Sequence, residues 1–79
     1  MAKTKKERQR NRVKDSIRGE AKSRAYFARK ADLSEQTLKR VEEGNGNISQ
    51  LTKNKIVRAF NELEEKRRDY TEEYLFPDG

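Results

Sequence analysis

The chain contains no cysteine and no histidine, and only one proline, one methionine and four glycines in 79 residues. Without cysteine or histidine there is no disulfide framework, no zinc finger, no catalytic thiol and no imidazole base. The missing disulfides fit a reducing cytoplasm. No apolar run approaches the roughly 18 residues of a membrane span. The first residues are charged and lack an apolar core, so they do not read as a secretory signal. No GxxxxGK[ST] spacing occurs, which removes support for nucleotide hydrolysis. Glu62, Glu64 and Glu65 have no accompanying base or metal-ligand pattern and read as a solvated helix face. No enzyme activity, cofactor, metal or small-molecule ligand is therefore expected. Apolar residues are also scarce, at 30% against 43% charged. The core must be thin, and a helical bundle of roughly 50 residues lies near the lower limit for independent folding. A second chain sharing the burial would relieve that shortage.

What the chain does have is positive charge in one place. The formal net charge is +6. Residues 1–24 carry +7, whereas residues 25–79 carry −1. Such an asymmetry points to a polyanionic partner, most often nucleic acid. Residues 1–11 read as a basic arm, with Lys5, Lys6 and Arg8 as candidate phosphate contacts. Thr4 with Glu7 three later offers a capping box. Val13 and Ile17, four apart, mark the buried side of a first helix, which Gly19 ends or bends.

The run Ser23–Gly44 is the most informative stretch. Ser23 is placed to cap a helix whose inward side is Phe27, Ala28 and Ala31. Ala31-Asp32-Leu33 is the turn, and aspartate tolerates left-handed backbone better than most residues. Ser34 caps the next helix through its hydroxyl. Leu33 before that cap and Leu38 after it form a hydrophobic staple. Leu38 and Val41 face inward together, and Gly44 stands where glycine ends a helix. The outward face is then Glu35, Gln36, Lys39 and Arg40. Gln36 can pair bidentately with adenine, Arg40 with guanine, and Glu35 can accept from a cytosine amino group. Ser34 and Thr37 are candidate phosphate contacts, the latter also within reach of a thymine methyl. Ser23 and Arg24 open the preceding helix, whose amides and dipole favour a phosphate.

This order of small-residue turn, serine cap, polar first turn and inward aliphatic pair is that of a helix-turn-helix. The sequence resembles the Cro and phage-repressor type of helix-turn-helix family. The resemblance is carried by Phe27-Ala28, Ala31, Leu33-Ser34, Leu38, Val41-Glu42 and Gly44. It extends more weakly into Ser49 and Ile56–Phe60, covering roughly residues 12–65. Asp32 departs from it, because the family usually has glycine there. The resemblance implies base readers at Glu35, Gln36 and Arg40, and backbone contacts from the loop holding Asn45 and Asn47. It also implies a structural ion pair between Glu42 and a first-helix arginine, for which Arg18 is the candidate. Family members commonly bind DNA as two-fold pairs.

Past the Gly44–Asn47 loop, a short helical turn is expected near Ser49, with Thr52 as a further cap between the staple residues Leu51 and Ile56. Ile56, Ala59, Phe60 and Leu63 then share one helical face. This stripe continues less purely through Arg67, Tyr70 and Tyr74, predicting a long C-terminal helix to about Tyr70 or beyond, before Pro77. Tyr70, Tyr74, Leu75 and Phe76 are too apolar for a free end. They either fold back on the bundle or pack on a second subunit. The expectation is thus an all-α, four- to five-helix bundle with three parts. These are an arm over 1–11, a DNA-binding domain over 12–66, and a C-terminal extension over 67–79 with a possible role in dimerisation. The leading functional expectation is a cytoplasmic, nucleoid-associated regulator of phage, plasmid or mobile-element type. It would bind double-stranded DNA as a homodimer and repress by steric exclusion. The alternative is an antitoxin- or adaptor-type interaction module acting through its C-terminal helix.

Overall fold

Pairs of apolar residues three and four apart put each helix where it forms, and serine hydroxyls start most of them. A computed structural model describes residues 11–20, 22–44 and 48–77. Among these residues the chain is all-helical and has no strand. The helices are α1 (Val13–Gly19), α2 (Arg24–Lys30), α3 (Glu35–Glu43), α4 (Gln50–Asn61) and α5 (Glu72–Leu75).

Helix α1 buries Val13 and Ile17 and stops at Gly19. Asn11 fastens its start: the side-chain oxygen accepts from the Val13 amide at 3.1 Å, and the side-chain amide donates to the Val41 carbonyl at 2.8 Å. One residue thereby begins α1 and ties it to the end of α3. Ser23 accepts from the Tyr26 amide and Ser34 from the Thr37 amide, each at 3.0 Å. Between these two caps Asp32 adopts φ 60, the left-handed conformation the turn requires. Gly44 takes the same region at φ 71 and closes α3. Lys55 holds the turn to α4, its ammonium lying 3.4 Å from the Asp32 carbonyl and 3.6 Å from the carboxylate.

Phe27, Ala28, Ala31, Leu38, Val41, Ile56, Ala59 and Phe60 meet Val13 and Ile17 in one core. An aromatic series runs through it. The Phe27 and Phe60 rings are 4.3 Å apart, Phe60 and Tyr70 are 4.6 Å apart, and Tyr70 and Tyr74 are 6.0 Å apart.

Three expectations are corrected. First, α4 starts from Ser49, whose hydroxyl accepts from the Thr52 amide at 3.1 Å. Thr52 therefore lies inside the first turn, and Leu51 is exposed rather than stapled. Second, there is no long C-terminal helix: α4 ends at Asn61. The Asn61 side chain donates to the Tyr70 carbonyl at 2.7 Å and accepts from its amide at 2.8 Å, so the chain doubles back. A continuous helix would instead carry Tyr70 about 13 Å along the axis from Asn61. The intervening residues are good helix formers, but propensity is worth only tenths of a kcal/mol per residue. Burying a large apolar side chain contributes about 1.5–3 kcal/mol. Third, Tyr70, Leu75 and Phe76 are buried in the chain's own core, so folding back replaces the proposed subunit contact at these positions. Tyr74 is half-buried beside them. The return is fastened at its far end, where the Arg12 amide donates to the Leu75 carbonyl at 2.8 Å.

Buried Glu20 joins α1 to the returning segment. One carboxylate oxygen accepts from the Arg67 amide at 2.9 Å and from the Tyr70 hydroxyl. Burial, then the hydrogen bond and charge of Glu20, push the Tyr70 pKa well above its ordinary value.

Candidate nucleic-acid interface

Helix α3 separates its two faces cleanly. Leu38 is fully buried and Val41 nearly so, whereas Glu35, Gln36, Lys39 and Arg40 are exposed. The side chains of Gln36, Lys39 and Arg40 make no hydrogen bond or ion pair among the described residues. Gln36 and Arg40 are one turn apart, about 5–6 Å along the axis, which spans one to two base-pair steps. Three side chains with bidentate or multiple donors thus stand together and uncommitted on one helical face.

The cap beneath them is closed. Ser34 accepts from the Thr37 amide and donates its own proton to the Thr37 hydroxyl at 2.9 Å. That leaves the Thr37 proton to be donated outward, while Ser34 is occupied by the helix itself. Ser23 is exposed and likewise engaged in capping.

Arg24 differs from expectation. Its guanidinium grips Glu42 by one edge: Nε reaches the two carboxylate oxygens at 3.1 and 3.2 Å, and Nη2 reaches one at 2.8 Å. The Glu42 side chain is only 4% exposed, so this pair supplies the charge it needs in a partly desolvated position. The hydrogen bond to Glu42, then its charge, raise the Arg24 pKa further above its already high value. The partner of Glu42 is therefore Arg24 at the start of α2 rather than Arg18, which is exposed on α1. The pair braces α2 against the end of α3, and one edge of the Arg24 guanidinium, Nε and Nη2, is turned to that task.

No family model, curated protein or solved structure matches the chain. The interface is therefore read from its own residues. Lys5, Lys6, Arg8, Asn45 and Asn47 lie outside the described residues. The structure brings Glu35, Gln36, Thr37, Lys39 and Arg40 together on one exposed turn and a half. It assigns Ser34 and Arg24 to holding that turn in place. Among the described residues no helix is long and apolar enough to cross a membrane.

Two supporting residues escaped the sequence reading. Asn11 falls within the basic arm by charge, although an asparagine just before an apolar helix is a recognised start signal. Lys55 carries no such signal, because its contact with Asp32 spans 23 residues.

Proposed function

We propose that the protein is a sequence-specific double-stranded DNA-binding regulator of the Cro and phage-repressor helix-turn-helix type. Helix α3 is the recognition helix and enters the major groove. One observation supports this above the rest: the side chains of Gln36, Lys39 and Arg40 project, unpaired among the described residues, from a helix whose opposite side, Leu38 and Val41, is anchored in the core. Arg40 reads guanine, Gln36 reads adenine, and Glu35 accepts from a cytosine amino group. Thr37 and the basic arm contact phosphate. Steric exclusion at an operator is the mode of action in this reading, because it needs only affinity and register. Two copies on a two-fold site would place half-sites about one helical turn apart. With the tail side chains buried, such a pair would meet through other surfaces.

Selection of bound sites from random duplexes at near-physiological salt tests the reading. Enrichment of a defined half-site, with its reader positions relaxed by Arg40→Ala, is the expected result. Recovery of no sequence preference from a folded protein would overturn it. Sedimentation of the complex then gives stoichiometry, and two protomers per enriched site is the expectation.

A further inference from the structure

A second basic feature lies away from α3, in a cleft of about 310 Å³ between α1, the returning segment and α5. Arg12, Arg67 and Arg68 line it together with Ser16, Asp15 and Tyr74. The Arg12 guanidinium carbon sits 4.7 Å from the centre of the Tyr74 ring, and that of Arg68 sits 3.7 Å from it. Two like charges are therefore held on one aromatic ring, no further apart than those two distances together. Arg67 brings a third guanidinium, fixed by its donation to the Gly19 carbonyl at 3.1 Å.

None of the three guanidiniums forms an ion pair among the described residues. Their hydrogen bonds go to backbone carbonyls: Arg12 to Tyr74 at 2.7 Å, Arg67 to Gly19, and Arg68 to Asp69 at 3.4 Å. Each guanidinium has five donors, so most of them remain available. Three carboxylates oppose this charge, one of them Asp69, which pairs with Lys66 and also feels the charge of Arg68. Asp15 lines the cleft, and Glu20 lies buried nearby, already accepting from the Arg67 amide and the Tyr70 hydroxyl. Like charges gathered on a low-dielectric wall repel one another and attract an anion.

We propose that this cleft binds a phosphate group. The three guanidiniums form no ion pair with the carboxylates near them among the described residues, and their planar forks match tetrahedral phosphate oxygens in pairs. Both faces of Tyr74 cannot be offered to a base while two guanidiniums lie against its ring, so the phosphate itself is what is recognised. The group belongs either to a nucleic-acid backbone or to a free phosphate or phosphomonoester.

The test titrates the full chain with inorganic phosphate at constant ionic strength, observing arginine Nε–Hε and Tyr74 ring signals by NMR. Saturating shifts at Arg12, Arg67, Arg68 and Tyr74 are expected. Arg68→Gln, which gives up a long intrachain hydrogen bond and the contact with the Tyr74 ring, should weaken binding about tenfold, the effect of losing one charge-assisted contact. Lys14→Gln removes the same charge from the exposed side of α1 and should change it less than about twofold. A second titration uses a short duplex in phosphate-free buffer. Shifts at the cleft signals assign the site to nucleic-acid backbone; a response to inorganic phosphate alone assigns it to free phosphate. Unsaturated or absent shifts with both probes, or equal losses in Arg68→Gln and Lys14→Gln, overturn the proposal. Signals of Gln36, Lys39 and Arg40 report the α3 interface separately, so each reading can fail without the other.

Discussion

Arg40 leaves α3 with its guanidinium unpaired among the described residues, and its expected behaviour differs from that of an arm residue. A bidentate contact with guanine discriminates between bases by about 1–3 kcal/mol. Arg40→Ala should therefore weaken the selected site by that amount and leave scrambled duplex nearly unaffected, as measured by titration of both. Equal losses on the two duplexes would make Arg40 a phosphate contact. Tyr70 makes a different single-residue prediction. Burial and Glu20 hold its proton on in the folded state, whereas the unfolded chain releases it near pH 10. Its contribution to stability is thus complete below pH 10 and declines as pH rises above it, at up to about 1.4 kcal/mol per pH unit. Tyr70→Phe should cost about 1–3 kcal/mol at neutral pH, because Glu20 loses a donor. The same variant should lack this part of the alkaline decline. Urea melts of both proteins at pH 7 and above pH 10 compare the two effects, and parallel declines would remove Tyr70 as their cause.

At the scale of elements, the α2–α3 turn rests on Asp32 at φ 60. Left-handed backbone costs an ordinary L-residue about 1–2 kcal/mol, and aspartate less. Glycine would remove that strain but loses more entropy on folding. Asp32→Gly should accordingly fall within about 0.5 kcal/mol of the natural chain, while β-branched Asp32→Val should lose about 1–2 kcal/mol. Thermal melts decide; a well-tolerated valine would mean the turn can relax into another conformation. This turn, its two serine caps and the Leu38–Val41 inward pair were legible because each depends on residues within four positions of one another. The end of α4 was not legible. Residues 62–69 favour helix by composition, whereas the bonds that turn the chain back, between Asn61 and Tyr70 and between Glu20 and both Arg67 and Tyr70, join residues nine or more apart.

At the scale of the whole molecule, the returning tail completes a core that the four longer helices leave open. Leu75 is fully buried, so Leu75→Ala should cost about 2–5 kcal/mol. In so thin a core this should lower the denaturation midpoint sharply, with DNA affinity falling only as the folded fraction falls. A variant that melts like the natural chain would return the tail to the role of an intermolecular surface. Neutralising Lys5, Lys6 and Arg8 tests the arm's expected role: affinity for every duplex should drop similarly, and the salt dependence should flatten by nearly one unit of slope per lost phosphate contact. Binding titrations across several salt concentrations check this, and a loss confined to the selected site would make the arm a base reader. Sequence by itself determined the helical class, the limits of α2 and α3, and which residues of α3 face outward. These follow from helical periodicity and from caps, both of which act within one or two turns. Tertiary structure alone decided that Arg24 braces Glu42, that Glu20 receives Tyr70, and that the tail folds inward. Each of those outcomes joins residues far apart in the chain. In each, the free energy of satisfying a buried group outweighs the small local preferences that a sequence displays.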